Sequence, residues 1–486
     1  MRIKRTSKGN NSLRPIHFKG DIPIEALKAK LDGIVDAVFK EMELPEGQVT
    51  LIYFSSLVDK LTLHQTVIRP LLEAALKDTA ELIEGGQLSK LISAITNGST
   101  IVYYPNEDVY FKVNTFSAPT AAITNTDTES GSLGPQNAFT ESLDTNLSLI
   151  KRRIQNPNLK SRNFIVGTVT NSKVTVLYMD NIANKKNVDM VFKKIENLKH
   201  PGLNHISILQ NLLDDHPFSP FPQFHETDRP DIAVSGLVDG RVVIAMNNSN
   251  GVLICPISFF ELFISPEDYY NRWMTASLLR SIRFFGFFLT IILTPTYISI
   301  LTFHPEMLPF DVLLNLQQSR EKVPFSPLME VLFMELVIEI LREAGSRMPT
   351  KIGQTIGIVG GIVIGSAAVE ASLVSNTLIV IVAVSALLSF LPPNFIMSNT
   401  SRFVRYFFIL ASGLFGLYGQ MIAFAWLFQH LLRLTSLKTD YMAPIIPRKW
   451  TDLLDTFVRL PTKFLKYKPG IVRAQNQKTS SQKKEE

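Results

Sequence analysis

The sequence predicts an α+β (or α/β) cytoplasmic N-terminal region of two subdomains, followed by a polytopic α-helical membrane domain. Three observations carry this. Long uncharged apolar runs recur within residues 284–432, and β-type alternation is mixed with helical periodicity over residues 20–255. Charge is also divided by region. Residues 1–280 hold 29 Lys/Arg against 30 Asp/Glu, residues 281–432 hold 8 of each, and the tail 433–486 holds 12 against 5. The basic character is therefore a property of the tail and does not describe a nucleic-acid-binding domain, which carries a basic face on a folded module. A single cysteine, Cys255, among 486 residues excludes an intramolecular disulfide framework and a thiolate zinc cluster.

Residues 1–115 are assigned to a first subdomain and 116–137 to a linker, because the stretch 117–136 is rich in Thr, Ser, Asn and Gly. Residues 138–264 form the second subdomain. Apolar residues at three- and four-residue spacing predict helices over 20–95. Strand pairs are predicted over 100–113, around a Pro-Asn turn, and over 164–179. A third hairpin is predicted over 234–246 at Asp239-Gly240, and a helix over 188–199. The proline-containing stretch 212–231 reads as an ordered loop or joint. The last sixteen residues, from Ile471, lack periodicity and are expected to be disordered.

Residues 265–283 predict a juxtamembrane amphipathic helix capped by Ser265, with Glu267 and Asp268 in its first turn. Tyr269, Tyr270 and Trp273 are interface-type aromatics, and Arg272, Arg280 and Arg283 are expected to reach headgroup phosphates. The alternatives are an ordinary juxtamembrane helix and a coupling helix that carries motion into the membrane. Phe284–Phe303 is a 20-residue uncharged run, long enough to span the hydrocarbon. Further runs cover Gly353–Val369, Ala371–Phe395 (helical to Leu391) and Tyr406–Leu432. No cleavable signal is read at the N-terminus. Between the first two runs, residues 327–341 carry eleven apolar residues with Glu330, Glu335 and Glu339. On an insertion scale the apolar residues contribute about −3 to −7 kcal/mol and three central glutamates about +8 to +10, so the segment needs partners, a cavity, protonation or an interfacial position. The reading favoured is a membrane domain over 284–432 of four spans, plus an acidic, partly inserted helix over 327–343, with both chain ends inside. Five spans would place Arg342, Arg347 and Lys351 inside but export the tail.

No Walker A, HExxH, CxxC or G-x-S-x-G pattern occurs, and His205, His216 and His225 are scattered. No catalytic residue, metal site or cofactor is predicted, and the chain is read as a non-enzyme. Gly353, Gly357, Gly361 and Gly365 fall at four-residue spacing on one helix face, which permits close helix approach. They form either a packing seam within one subunit or the border of a pathway in an oligomer, with Gln354 and Glu370 among its polar contributions. Glu335, Glu339 and Glu343 share a face at i, i+4. They form either acidic rings that favour cations or ion pairs with Arg342, Arg347 or Lys351. Pore or gating roles are thus assigned to Glu330, Glu335, Glu339, Gln354, Gly357, Gly361, Gly365 and Glu370.

The segments SPFPQFHETDRPD, SPEDYYNRW, EVLFMELVIEILREAGSRMP and GQTIGIVGGIVIGSAAVEASLVS, with the earlier GPQNAFTESLDTNLSLIKRRI, resemble the A subunits of GerA-type spore germinant receptors over about 130–435. The family varies over residues 1–115. The resemblance implies a nutrient-sensing complex in the inner membrane of a bacterial endospore, with the N-terminal region and tail facing the spore core. It implies partners: a transporter-like B subunit that holds the nutrient, a lipoprotein C subunit, the lipid membrane, further copies of the chain and monovalent cations. It implies a cation channel opened by nutrient, and no nucleic acid. An accessory protein of the stage V sporulation AF type shares these motifs. A secondary transporter and a non-conducting scaffold are the readings from other classes.

Overall fold

The computed structural model describes residues 24–475 except 45–46, 73–80, 83–87, 108, 117–133, 349–359, 362, 449, 454 and 465–467. Most of the expected linker, and Gln354 and Gly357, lie outside the described residues.

Each subdomain is an antiparallel five-stranded sheet with helices on both faces. The first contains β1 (Ala37–Leu44), β2 (Gly47–Phe54), β3 (Glu81–Leu82), β4 (Ser99–Tyr104) and β5 (Val109–Asn114), in the order β1-β2-β4-β5-β3. Helices Ile24–Leu31 and Leu88–Thr96 place Leu27, Leu31, Leu91 and Ile95 on one face, against Ile52 and Ile101. Leu63, Val67 and Leu71 cover the other face, against Val49, Leu51 and Val102. The helical reading of 20–95 is therefore only partly right. The first helix stops at Leu31, and Gly33, at φ +74°, turns the chain into a hairpin of β1 and β2.

The second sheet contains β6 (Leu159–Val166), β7 (Ser172–Met179), β8 (His225–Thr227), β9 (Val242–Met246) and β10 (Val252–Cys255), in the order β6-β7-β9-β10-β8. Every residue of β9 and β10 is buried, which explains their uninterrupted apolar sequence. Helices Lys185–Glu196 and Ile206–Leu213 cover one face, and Leu143–Arg153 and Pro230–Asp239 the other. The hairpin expected at Asp239-Gly240 is a helix end instead. Gly240 takes the left-handed conformation, φ +96°, and its N–H donates to the carbonyls of Gly236 and Leu237. A helix C-cap and a tight hairpin both demand that conformation, so the dipeptide alone does not separate them.

The two subdomains are tied at one seam. Ser161 N–H donates to Gly33 O at 3.0 Å, Val35 N–H donates to Ser161 Oγ at 3.1 Å, and Lys151 pairs with Asp36 in a buried site. Burial acts to raise the Asp36 carboxyl, but Lys151 and Ser56 hold it below its usual value.

Among the described residues two helices, Trp273–Phe303 and Phe395–Arg433, are long and apolar enough to cross a membrane. The first is about 46 Å long at 1.5 Å per residue and carries Pro295. The second is not straight. Gly416 has φ 61° and ψ −140°, and the limbs on either side fold back on each other. Phe407 meets Trp426 with ring centroids 4.7 Å apart, and Phe408 meets Phe424 at 4.9 Å. In a straight helix residues 407 and 426 would lie about 28 Å apart. The expected span Tyr406–Leu432 is thus a helical hairpin with its tip at Gly416. Both open ends meet the second subdomain: Thr400 Oγ1 donates to Pro220 O, and Ser219 Oγ lies 2.9 Å from His430 Nε2. The tip packs near Phe303, the far end of the first long helix.

The acidic helix runs over Pro327–Ser346. Residues 363–370 are helical. The run Ala371–Phe395 forms only a 13-residue helix, Asn376–Leu388, because Ser375 caps a new helix after Ser372 at φ +54°. Its length of about 20 Å is short of a full span.

The tail returns to the N-terminal region. Tyr441 OH donates to Pro222 O at 2.6 Å, and Ser436 Oγ donates to Gln223 O at 2.6 Å. The expectation of disorder from Ile471 fails for its first residues. Val472 is fully buried, and Gln475 N–H donates to Ile182 O at 2.9 Å. Sequence periodicity could not show this, because the tail is held by long-range contacts and not by its own helical face.

Replacing Asp36 by Ala leaves Lys151 buried without its counter-charge and is expected to lower stability by roughly 3–5 kcal/mol. Denaturant unfolding followed by tryptophan-independent circular dichroism checks this, and a change below about 1 kcal/mol would show that the seam is not closed by that pair.

Candidate functional site

The acidic helix inverts the pattern of a soluble amphipathic helix. Glu330 and Glu335 are each 1% exposed, while Met329, Phe333, Leu336 and Ile340 face outward. An apolar exterior around buried carboxylates is the arrangement that lipid selects.

Each carboxylate has a partner. Glu335 pairs with Arg405 at 2.7 Å, and both side chains are completely buried. Thr294 Oγ1 donates to Glu335 Oε1 at 3.2 Å, and Arg405 Nη1 donates to Ser385 Oγ at 2.6 Å. Four elements therefore converge on one pair. Glu330 accepts from Arg320 Nε at 3.2 Å and from the Ser375 N–H at 2.5 Å. Glu339, with 40% of its side chain exposed, meets Arg402 at 3.1 Å and Arg342 at 3.2 Å. Glu343 pairs with Arg347 at 2.5 Å on the surface. Pairing with Arg342 and Arg347 was among the sequence expectations. Arg402 and Arg405 were missed as partners, because the fourth apolar run was read from Tyr406 and cut them off. Their i, i+3 spacing beside a long apolar run was the available signal.

The glycine face is placed differently. Among the described residues, a Cβ at Gly361 or Gly365 would meet nothing within 4 Å, whereas one at Gly360 would meet Leu341. Glu370 is exposed.

The second constellation is the elbow that joins the domain to the first long helix. The expected helix 265–283 is broken: one turn, Glu267–Tyr270, precedes a helix that starts at Trp273. Asp268 Oδ2 accepts from the Ser265 N–H at 3.2 Å, so Asp268 and not Ser265 closes that turn. Arg280 and Arg283 do not reach outward. Arg280 is 1% exposed and donates to Asp268 at 3.2 Å and to Asp455 at 2.9 Å. Arg283 donates to both oxygens of Asp268, at 2.6 and 2.9 Å. The fully buried carboxylate of Asp268 draws both guanidiniums inward, which is the reason for the correction. Tyr269 OH donates to Asp455 at 3.1 Å, and Tyr270 OH donates to Asp231 at 3.0 Å. Arg272 and Trp273 are exposed. From the tail, Arg459 donates to the carbonyls of Asp268, Asn271 and Tyr269. Asp455 and Arg459 were missed, because they lie 175 and 191 residues from their partners in sequence, and Asp268 was read only as a first-turn acid.

His205 caps a helix, His216 lies 3.3 Å from Thr435 Oγ1, and His225 sits in β8. Cys255 is buried, which pushes its thiol up. Among the described residues no group of three or more His, Cys, Asp or Glu could hold a metal ion.

The family described as "Bacillus/Clostridium GerA spore germination protein" matches residues 25–471. The chain belongs to the GerA family. Spore germination protein GerQA of Bacillus cereus is 36% identical over 471 residues, 94% of each chain. Spore germination protein A1 of Bacillus subtilis (strain 168) is 39% identical over 395 residues, 81% of each chain. The crystal structure of the N-terminal domain of the A subunit of the Bacillus megaterium spore germinant receptor GerK3 aligns with 49% of this chain and 94% of its own, at 24% identity and a TM-score of 0.37. This GerA-family chain is thus similar to A-subunit spore germination proteins over nearly its whole length.

Arg405→Ala is expected to reduce the amount of folded protein in the membrane far more than Arg405→Ala combined with Glu335→Ala. Removal of one partner strands a buried charge, and removal of both does not. Fluorescence size-exclusion chromatography of the single and double variants checks this, and equal loss in both would remove the pair from its central place.

Proposed function

We propose that this chain is the A subunit of a nutrient germinant receptor in the spore inner membrane. It oligomerises into a cation channel that opens when a transporter-like B subunit, working with a lipoprotein C subunit, binds a small nutrient. The observation that supports this best is the inverted acidic helix: carboxylates and arginines stand inside a bundle whose outer surface is apolar. Intramembrane charges of this kind mark ion pathways and gating elements. The uncovered face of Gly361 and Gly365 supports close packing of another helix, as an oligomer requires.

In this reading the glutamates have different roles. Glu335 is sealed by Arg405 and holds the bundle together. Glu339 and Glu370 retain exposed surface, so they are the carboxylates an ion would meet. Opening then requires the hairpin to move against the acidic helix, with Arg402 releasing Glu339. A non-conducting scaffold is the second reading, because all four glutamates of the acidic helix have arginine partners.

Ion release from spores carrying the chain with its partner subunits separates the two. Glu339→Gln is expected to lower nutrient-triggered cation release at equal protein level, whereas Glu335→Gln is expected to lower protein level itself. Normal release in Glu339→Gln, or absence of release from the intact wild-type complex, favours the scaffold.

A further inference from the structure

Where the second subdomain, the elbow and the returning tail meet, a cavity of about 250 Å³ adjoins a second of about 200 Å³. Asp239, Arg241, Glu261 and Tyr269 line both. Phe260 and Asp455 complete the larger one. The charges on its wall are already engaged, with one exception. Arg241 Nη1 and Nη2 donate to Glu261 Oε2 and Oε1, each at 2.5 Å, and Nη1 also donates to Pro256 O at 3.2 Å. Asp455 accepts from Arg280 and from Tyr269 OH. Asp452 accepts from the Gly470 N–H at 2.6 Å. The Asp239 carboxylate makes no hydrogen bond or ion pair among the described residues; Arg241 and, more weakly, Lys468 act on it through space, opposed by Glu261 and Asp455. Burial raises its carboxyl to about 6, so at neutral pH it stands in the cavity as an ionised group without a direct partner.

We propose that this cavity binds a small organic ammonium compound, with Asp239 accepting from the ammonium group and Tyr269 and Phe260 flanking its carbon portion. An anion is disfavoured, because the sole guanidinium on the wall is already held bidentately by Glu261. A divalent metal is disfavoured, because one free carboxylate does not supply the several oxygens it needs. The volume lies below the roughly 300–1,000 Å³ of drug-sized sites, so the ligand has few heavy atoms. The Tyr269 ring already faces the guanidiniums of Arg459 and Arg280, at 5.0 and 5.9 Å from its centroid, so Tyr269 and Phe260 meet the carbon portion by apolar packing. An occupant would touch the subdomain, the elbow and the tail at once and so tighten the joint between the domain and the first long helix. The site is distinct from the nutrient site proposed for the B subunit, and it does not depend on the channel reading, since binding is measured on this chain alone.

The test uses the full-length protein in detergent, titrated with ethanolamine hydrochloride against equimolar potassium chloride, with thermal unfolding as the readout. The expected result is a saturable rise in Tm with ethanolamine and none with potassium chloride. Apparent affinity should fall at least tenfold in Asp239→Asn. Asp239→Asn is expected to fold, because a carboxyl raised from 3.8 to about 6 by folding loses stability as pH rises through that window, and the amide removes this term. Ser235→Leu, which fills the cavity and leaves its charges alone, should abolish the shift and decides the matter if Asp239→Asn does not fold. An absent shift, an equal response to potassium chloride, or an undiminished response in both variants overturns the proposal.

Discussion

Glu335 and Arg405 meet inside the helical bundle with no exposed surface on either side chain, and the arrangement of the membrane part follows from the need to keep them together. Removing either charge from water costs several kcal/mol, and a lone charge at that depth would not be tolerated. The pair therefore fixes the acidic helix against the first limb of the hairpin. Thr294 from the first long helix and Ser385 from the short helix supply the remaining hydrogen bonds. Glu330 with Arg320 and Glu339 with Arg402 extend the same contact along the acidic helix. A bundle held by paired charges has discrete arrangements, since each arginine needs a carboxylate wherever it goes. That property suits a gating element as well as it suits a rigid scaffold.

The same constraint operates at the elbow. Asp268 is fully buried and is neutralised by Arg280 and Arg283, while Asp455 from the tail shares Arg280. Aromatic contacts continue from there into the bundle: Phe259 touches Phe287, and Phe284 touches Phe457. The second subdomain, the start of the first long helix and the tail are thus one packed unit. A ligand lodged beside Asp239 would act on this same unit.

Much of the N-terminal α+β fold was legible. The strand pairs at 100–113 and 164–179 stand where alternation placed them, and the helix at 188–199 overlaps Lys185–Glu196. Failures arose where one local signal serves two structures. Asp239-Gly240 ends a helix, and the periodic stretch after Leu31 becomes β1. In the membrane part, the apolar runs marked helices but not where they turn. Gly416 was one glycine among several in an uncharged run, and only the packing of Phe407 on Trp426 reveals the reversal.

The sequence by itself determined the division into a mixed α/β region and an apolar helical region, the acidic helix between apolar runs, and the resemblance to the GerA family. These depend on composition, spacing and ordered motifs, which are local properties of the chain. Tertiary structure alone decided which arginine neutralises which glutamate, that Arg280 and Arg283 turn inward, and that the tail clasps the elbow. Those outcomes join residues far apart in sequence, such as Asp268 and Arg459, and no local pattern encodes them. They are set by the cost of leaving the charges of the bundle and the elbow unpaired away from water.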